Sequence, residues 1–470
     1  MALNALLNRH LAPPANPVSE FHLAVWPVEQ ARVKAEFSLR LAADGEAWRV
    51  RKGVGKLRQI DHSLVFDHAK LSDVQLMVKT ETYPDDFTNV PIKKARGIQF
   101  MTNERTAYGN AAEFRAYAKS LEHCSKEPLT IGGVNFTVVY ASSMNHSQIA
   151  DFATESELIR GRYHASCLDE RDGSNWDANV QEAHRRAILG KIRELDRRLA
   201  EQVEAGISVW GKANFPSGHQ IQYQVTGSVK SGHPDTSSGN SDLNREISIQ
   251  AILALPSHLR PVRVRALVMG DDYIAWLYFD FSVNWDDLRK ALDAAESTLG
   301  IVPKRALFKD VQQVSFISLT FYWTTSGRLV AVPKLGRIFA RLFWTVSSCQ
   351  GQDLADVASA IAESFLPIYI HFRPMAKFLK RHVVPHTGRR SDILRRFDPM
   401  LLWDEKRCTN LAVFMGVMWA RGNAEKYPAE CLVWDLPEDL PCPGIVHDPV
   451  VSTMYRCDIA DPSDRPFRLA

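Results

Sequence analysis

Arg265-Ala266-Leu267-Val268-Met269-Gly270-Asp271-Asp272-Tyr273-Ile274-Ala275-Trp276 is the stretch around which the rest of the chain is read. Two short apolar runs, each of strand length, flank a tight turn. Such a hairpin pushes the adjacent carboxylates of Asp271 and Asp272 out at its tip. Paired acids at a tip are a poor structural device and a good seat for a divalent cation. Alone the triplet Gly-Asp-Asp is weak, since at average composition about one chain of this length in ten carries it. Its weight comes from what stands before and after it.

Upstream lies Ser231-Gly232-His233-Pro234-Asp235-Thr236-Ser237-Ser238-Gly239-Asn240. The pattern SGxxxTxxxN is fixed at four positions and is expected by chance in under about one chain in a hundred. Gly232 permits a loop that changes shape, and Pro234 and Asp235 suit a helix start. Thr236 and Asn240, four apart, then share one helix face. Further upstream, Tyr163-His164-Ala165-Ser166-Cys167-Leu168 runs into Asp169-Glu170-Arg171-Asp172-Gly173-Ser174-Asn175-Trp176-Asp177. A strand ending in one carboxylate, with a second after a turn, offers two acids with separate tasks. Asp172 is favoured over Asp169 on spacing, although Asp169 directly follows the apolar strand.

The ordered set D-x4-D, SGxxxTxxxN and GDD resembles motifs A, B and C of viral RNA-dependent RNA polymerases. It looks most like the tombusvirus- and nodavirus-like positive-strand group, in which a Ser stands two places after the leading Asp, as Ser174 does here. Met77-Val78-Lys79-Thr80-Glu81 and Lys93-Lys94-Ala95-Arg96-Gly97-Ile98-Gln99 look like the basic fingers motif F. Gly300-Ile301-Val302-Pro303-Lys304 looks like motif D with its lysine, although Arg305 and Lys309 stand close by. Phe316 to Arg337 is similar to the hairpin of motif E.

The resemblance implies an α+β right-hand polymerase fold, with fingers, a palm built on an antiparallel sheet and a helical thumb. Residues 1–160 would form an N-terminal extension and fingers, 161–178 the palm strand of motif A, and 179–228 a fingers insertion. Residues 229–343 would form the palm of motifs B to E, and 344–470 the thumb and tail. It also implies RNA-directed RNA synthesis that replicates a viral genome, with two magnesium or manganese ions. Asp172 and Asp271 would hold metal, with Asp272 beside them. Lys94 and Arg96, with Lys79 behind them, would meet the triphosphate, and Lys304 would give a proton to the departing pyrophosphate. Asp177 with Asn240, aided by Ser231 or Thr236, would read the ribose 2′-hydroxyl, which separates RNA precursors from DNA precursors, and Gly232 would stand with them at the nucleotide.

Bulk properties set limits without choosing. The 470 residues are 45% hydrophobic and 24% charged, with a net charge of +3, an ordinary globular composition whose length fits about three domains or one large domain with lobes. Basic residues gather locally, as in Arg185, Arg186, Lys191, Arg193, Arg197 and Arg198, a pattern that fits a nucleic-acid groove or a solvated helix face. Seven scattered cysteines include no CxxC pair, so neither a zinc ribbon nor a disulfide framework is indicated. No apolar run nears membrane-spanning length, and membrane attachment is expected only through partners. The expected partners are RNA template, nascent RNA, ribonucleoside triphosphates and other replication proteins, in the host cytoplasm or at membrane-associated replication sites. No GxxxxGK[ST] is present, which leaves a P-loop ATPase unsupported.

Two rivals share parts of this pattern. A reverse transcriptase-like polymerase would carry an aromatic where Gly270 stands and a bulky sugar gate in place of Asp177 and Asn240. A non-catalytic RNA-binding protein would keep RNA affinity and make no product. Periodicity predicts one long helix from about Val180 to Glu204, a hairpin over 211–227, a helix from Thr236 to about Leu255, another from Trp285 to Leu299, and a strand pair around Ser326-Gly327. Residues 1–71 read as an irregular lobe.

Overall fold

A hairpin leaves unpaired backbone groups along both edges, and the Gly270-Asp271-Asp272 hairpin has neighbouring strands to pair them on both sides. In the computed structural model the described residues are 13–43, 54–78, 97–100, 102–173, 175–214, 218–230, 232–323 and 327–333, with Ala362 and Phe365. The chain divides into two units, Met1–Lys79 with Pro91–Ser143 and Arg160–Lys309, and Thr80–Val90 with Met144–Ile159 and Asp310–Ala470.

The first unit opens with helices α1 (Trp26–Ala43) and α2 (Val54–His62), then strands β1 (Asp73–Val78) and β2 (Gly97–Phe100). Helices α3 (Asn103–Asn110) and α4 (Ala112–Cys124) lead into strands β3 (Leu129–Ile131) and β4 (Val134–Tyr140). In the second unit lies α5 (His146–Leu158), after which β5 (Ala165–Gly173), α6 (Trp176–Asn179), α7 (Glu182–Arg193) and α8 (Arg197–Ala205) return to the first. There follow β6 (Ser208–Asn214), β7 (Gln220–Thr226), α9 (Thr236–Leu253), β8 (Arg263–Met269), β9 (Asp272–Phe279), α10 (Trp285–Thr298) and β10 (Pro303–Phe308).

Six strands form one sheet in the order β10-β5-β9-β8-β4-β3. It is antiparallel from β10 to β8 and parallel between β4 and β8, so the expected antiparallel sheet is mixed at one side. Tyr273 to Phe279 are all buried, as a central strand covered on both faces requires. Beneath it runs α9, whose buried residues include Asn240, Asp242, Asn244, Arg245 and Glu246. A helix with so many polar groups buried needs partners for them, and Asn240, Asp242, Asn244, Arg245 and Glu246 each hydrogen-bond to a neighbouring segment of the chain. A second sheet, β2-β1-β6-β7, has its own small core of Val74, Leu76, Val209, Tyr223 and Val225. Gly211 leaves room there for the Tyr223 ring, which would lie 1.9 Å from any Cβ added at that position.

Three differences from the periodicity have local causes. The predicted helix over 180–204 is two helices, because Asp196 caps α8 by accepting from the Leu199 amide at 2.7 Å. The region before residue 71 contains the 18-residue α1, whose buried stripe is Trp26, Glu29, Val33 and Phe37. Glu29 interrupts the apolar pattern and is held inside by Arg245 at 2.7 Å and Lys191 at 3.5 Å. Strands β3 and β4, absent from the periodicity reading, meet at Gly132-Gly133, both at positive φ. The expected hairpin over 211–227 corresponds to β6 and β7, and the helices predicted from Thr236 and Trp285 are α9 and α10.

In the second unit, β11 (Ser315–Phe316), β12 (Leu319–Trp323) and β13 (Leu329–Pro333) form an antiparallel sheet. The expected strand pair around Gly327 is β12 with β13, Phe321 and Tyr322 being buried. Helix α5 packs on β13, where the Leu329 amide donates to Thr154 Oγ1 at 3.0 Å. The expected thumb and tail after residue 343 lie outside the described residues, apart from Ala362 and Phe365.

Candidate active site

Acids far apart in sequence meet at one end of the six-stranded sheet. Strands β5 and β9 run antiparallel, and their last pair is Arg171 with Tyr273. One residue further along β5, Asp172 lies at the end of the sheet where Asp272 opens β9. The β8–β9 turn holds Gly270 and Asp271, closed by the pair Met269 and Asp272. Gly270 has φ +65°, which suits the first position of a two-residue hairpin loop. All three carboxylates are exposed. Lys304, also exposed, is the direct cross-strand partner of Asp172 on β10, so the two side chains share a face.

Strand alternation puts the residues between which the sequence leaves a choice on different faces. Asp169 and Arg305 point to the opposite face, where Arg305 Nε donates to Asp169 Oδ1 at 2.7 Å with both side chains buried. Asp169 is thus committed to an internal ion pair, while Asp172 stands at the strand end. Arg305 is likewise committed, to Asp169, Asp293 and Glu296, and Lys304 is left on the acid face.

The chain reverses sharply after Asp172. Gly173 admits the Trp176 ring, whose Cε3 would lie 2.4 Å from an added Cβ, and Asn175 adopts φ +48°. This turn carries Asp177 into α6, where it is buried and faces α9. Asn240 Nδ2 lies 3.5 Å from Asp177 Oδ1, so the structure brings these two predicted partners together. Thr236 serves its own loop, its hydroxyl donating to the carbonyls of His233 at 2.8 Å and Lys230 at 3.2 Å. Gly232 has φ +92°, a conformation that any side chain would strain.

The loop ahead of α9 is anchored by buried charge. Arg185 donates to Asp235 at 2.8 Å, and His233 Nδ1 is bonded to the other oxygen of the same carboxylate. Burial alone would raise Asp235, but Arg185 and His233 hold it far below the usual carboxylate range. Burial pushes His233 down to about 4. Lys230 donates to the Ile207 carbonyl at 2.5 Å, and burial, reinforced by Arg185, lowers its ammonium to about 6.

Sequence reasoning missed the residues that grip the hairpin turn. Ser241 Oγ accepts from the Gly270 amide at 2.7 Å, and Asn244 Nδ2 donates to the carbonyls of Gly270 at 3.0 Å and Asp271 at 3.2 Å. The spacing of Ser237, Ser241, Asn244 and Ser248 along one helix face was the available signal. The predicted triphosphate contacts Lys79, Lys94 and Arg96, together with Ser231, lie outside the described residues.

Among the described residues no group of three or more His, Cys, Asp or Glu side chains is gathered closely enough to hold a metal ion. The donors present are carboxylates, the ligand type that magnesium and manganese take, and magnesium commonly uses one or two of them with substrate phosphates and waters. Among the described residues no helix is long and apolar enough to cross a membrane.

Residues 141–299 match the family model of the viral RNA-directed RNA polymerases. The matched stretch contains Asp172, Asp177, Gly232, Thr236, Asn240 and the Gly270–Asp272 turn, and ends before Lys304. No curated protein matches the chain. The match marks an RNA-directed RNA polymerase, a nucleotidyltransferase.

Proposed function

We propose that this chain replicates a viral RNA genome by template-directed nucleotidyl transfer from ribonucleoside triphosphates, as a polymerase of the tombusvirus- and nodavirus-like group with a right-hand fold. The observation that carries this reading is the arrival of Asp172 and the Gly270–Asp272 turn at one end of adjacent strands within the matched stretch. Asp172 and Asp271, with Asp272 beside them, would hold two magnesium or manganese ions. When bound, such ions supply the charge that activates a 3′-hydroxyl and neutralises a pyrophosphate leaving group.

The protein's own groups complete the chemistry. Lys304, the cross-strand partner of Asp172, would release a proton to the departing pyrophosphate. Asp177 and Asn240 present an acceptor and a donor to a ribose 2′-hydroxyl, which can satisfy both. A site built to bond a hydroxyl rejects the analogue lacking it by up to about ten-thousand-fold, because its own polar groups are left unpaired. Lys79, Lys94 and Arg96 are assigned to the triphosphate, and Ser231, Gly232 and Thr236 to the loop that closes on the nucleotide. Template and nascent RNA are the macromolecular partners. Other replication proteins would bring the enzyme to membrane-associated sites in the host cytoplasm.

Template extension by the purified protein tests the reading. With magnesium and four ribonucleotides, product lengthens with template and vanishes on chelation of the metal. Retention of RNA with no product under any divalent ion would instead support the non-catalytic RNA-binding alternative.

A further inference from the structure

The ladder between β5 and β9 stops at Arg171 and Tyr273, one residue short of the acids. Like charges brought together at strand ends repel, and although pairing with Lys304 holds Asp172 to β10, its tie to the hairpin turn must come from outside the β5–β9 ladder. The buried face of the sheet supplies it. Strand alternation gives each acid-face residue a neighbour pointing the other way. Arg171 precedes Asp172, and Arg305 follows Lys304.

These neighbours are joined into one chain of contacts. Asn244 grips the turn carbonyls through Nδ2, while its Oδ1 accepts from Arg171 Nη2. Arg171 also donates to Ser248 Oγ at 2.7 Å, and its Nε lies 3.1 Å from Glu296 Oε1. The same Glu296 oxygen accepts from Arg305 at 2.7 Å. The Arg171 guanidinium lies 4.7 Å from the centre of the Tyr273 ring, next to Asp272 in sequence. The side chains of Arg171, Asn244, Ser248, Tyr273, Glu296 and Arg305 are all buried, so none is positioned to touch substrate.

We infer that Asn244, acting with Arg171, is a positioning residue that sets the separation between the carboxylates of Asp172 and Asp271, and thereby the affinity of the acid end for divalent cations. Asn244 is suited to this because one amide touches both acid-bearing strands. Its Nδ2 fixes the backbone of the turn, and its Oδ1 fixes the arginine next to Asp172. Through Glu296 the same linkage reaches β10 and the strand position of Lys304. The inference rests on the nucleotidyl-transfer reading above.

Mn2+ binding tests it without requiring catalysis. Free Mn2+ is followed by its paramagnetic resonance signal during titration of the full chain and of Asp271→Asn, Asn244→Leu, Arg171→Lys and Val203→Ala. Val203 is a buried core residue on α8 outside this linkage and controls for lost stability. Asn244→Leu is expected to weaken Mn2+ binding about tenfold or more, the usual effect of removing an outer-shell partner. Val203→Ala is expected to melt earlier and bind Mn2+ as the wild type does. Should Asn244→Leu fail to fold, Arg171→Lys, which keeps the charge but loses the fork to Asn244 and Glu296, is read the same way. Mn2+ midpoints in these variants no further from the wild type than that of Val203→Ala would overturn the positioning role and leave the polymerase reading standing. Wild-type binding equal to that of Asp271→Asn would sink both.

Discussion

Asp172 and Asp169 are three residues apart, yet they sit on opposite faces of β5 and should fail in different ways when altered. Asp172→Asn keeps the shape of an exposed side chain, so the protein should melt like the wild type and lose nucleotide incorporation. Asp169→Asn removes one of the three carboxylates that hold the buried Arg305, Asp293 and Glu296 remaining, so it should lower stability, by about 1–2 kcal/mol. Thermal melting and incorporation measured on both variants should therefore separate. A stable Asp169→Asn protein with no activity, beside an active Asp172→Asn protein, would reverse the assignment. Asn240 makes a second distinction at this scale. Its amide faces Asp177, so Asn240→Ala should chiefly erode the preference for ribo- over deoxynucleotides, and an unchanged ratio of the two would count against the ribose role.

Between α8 and α9, the elements are tied by charge held away from water, and Lys230 shows how that responds to pH. Burial lowers its folded-state value to about 6, whereas an unfolded lysine keeps its proton to about pH 10.4. Between those values the unfolded chain binds an extra proton, so stability contributed through this site rises with pH. Below about pH 6 both states are charged and the penalty of burying the ammonium is present in full. The melting temperature of Lys230→Met relative to wild type should thus stand highest near pH 6 and decline toward pH 9. Parallel melting profiles for the two proteins would show that the ammonium is not buried as described.

Across the whole molecule, the parts legible in the sequence were those governed by short-range rules. The Gly270 hairpin, the helix after Pro234 and the turn after Asp172 each announce themselves through glycine, proline and apolar alternation. The long-range partners did not. Whether Asp169 or Asp172 faces the acid end depends on the register of β5 against β9 and β10, which no local pattern records. Lys191, which reads with its basic neighbours as a nucleic-acid groove or a solvated helix face, is instead buried with Glu29, Asp242, Arg245 and Glu246, where α1 and α7 close over α9. Asn244 escaped notice for the same reason: its partners lie on two strands distant in the chain. The unifying claim is that Asp172 and Asp271 share a divalent ion, and anomalous diffraction from crystals soaked with Mn2+ and a ribonucleoside triphosphate addresses it without intermediaries. An anomalous peak about 2.1 Å from carboxylate oxygens of both residues is the expected result. Mn2+ bound elsewhere, with the two carboxylates too far apart to reach one ion, would contradict it.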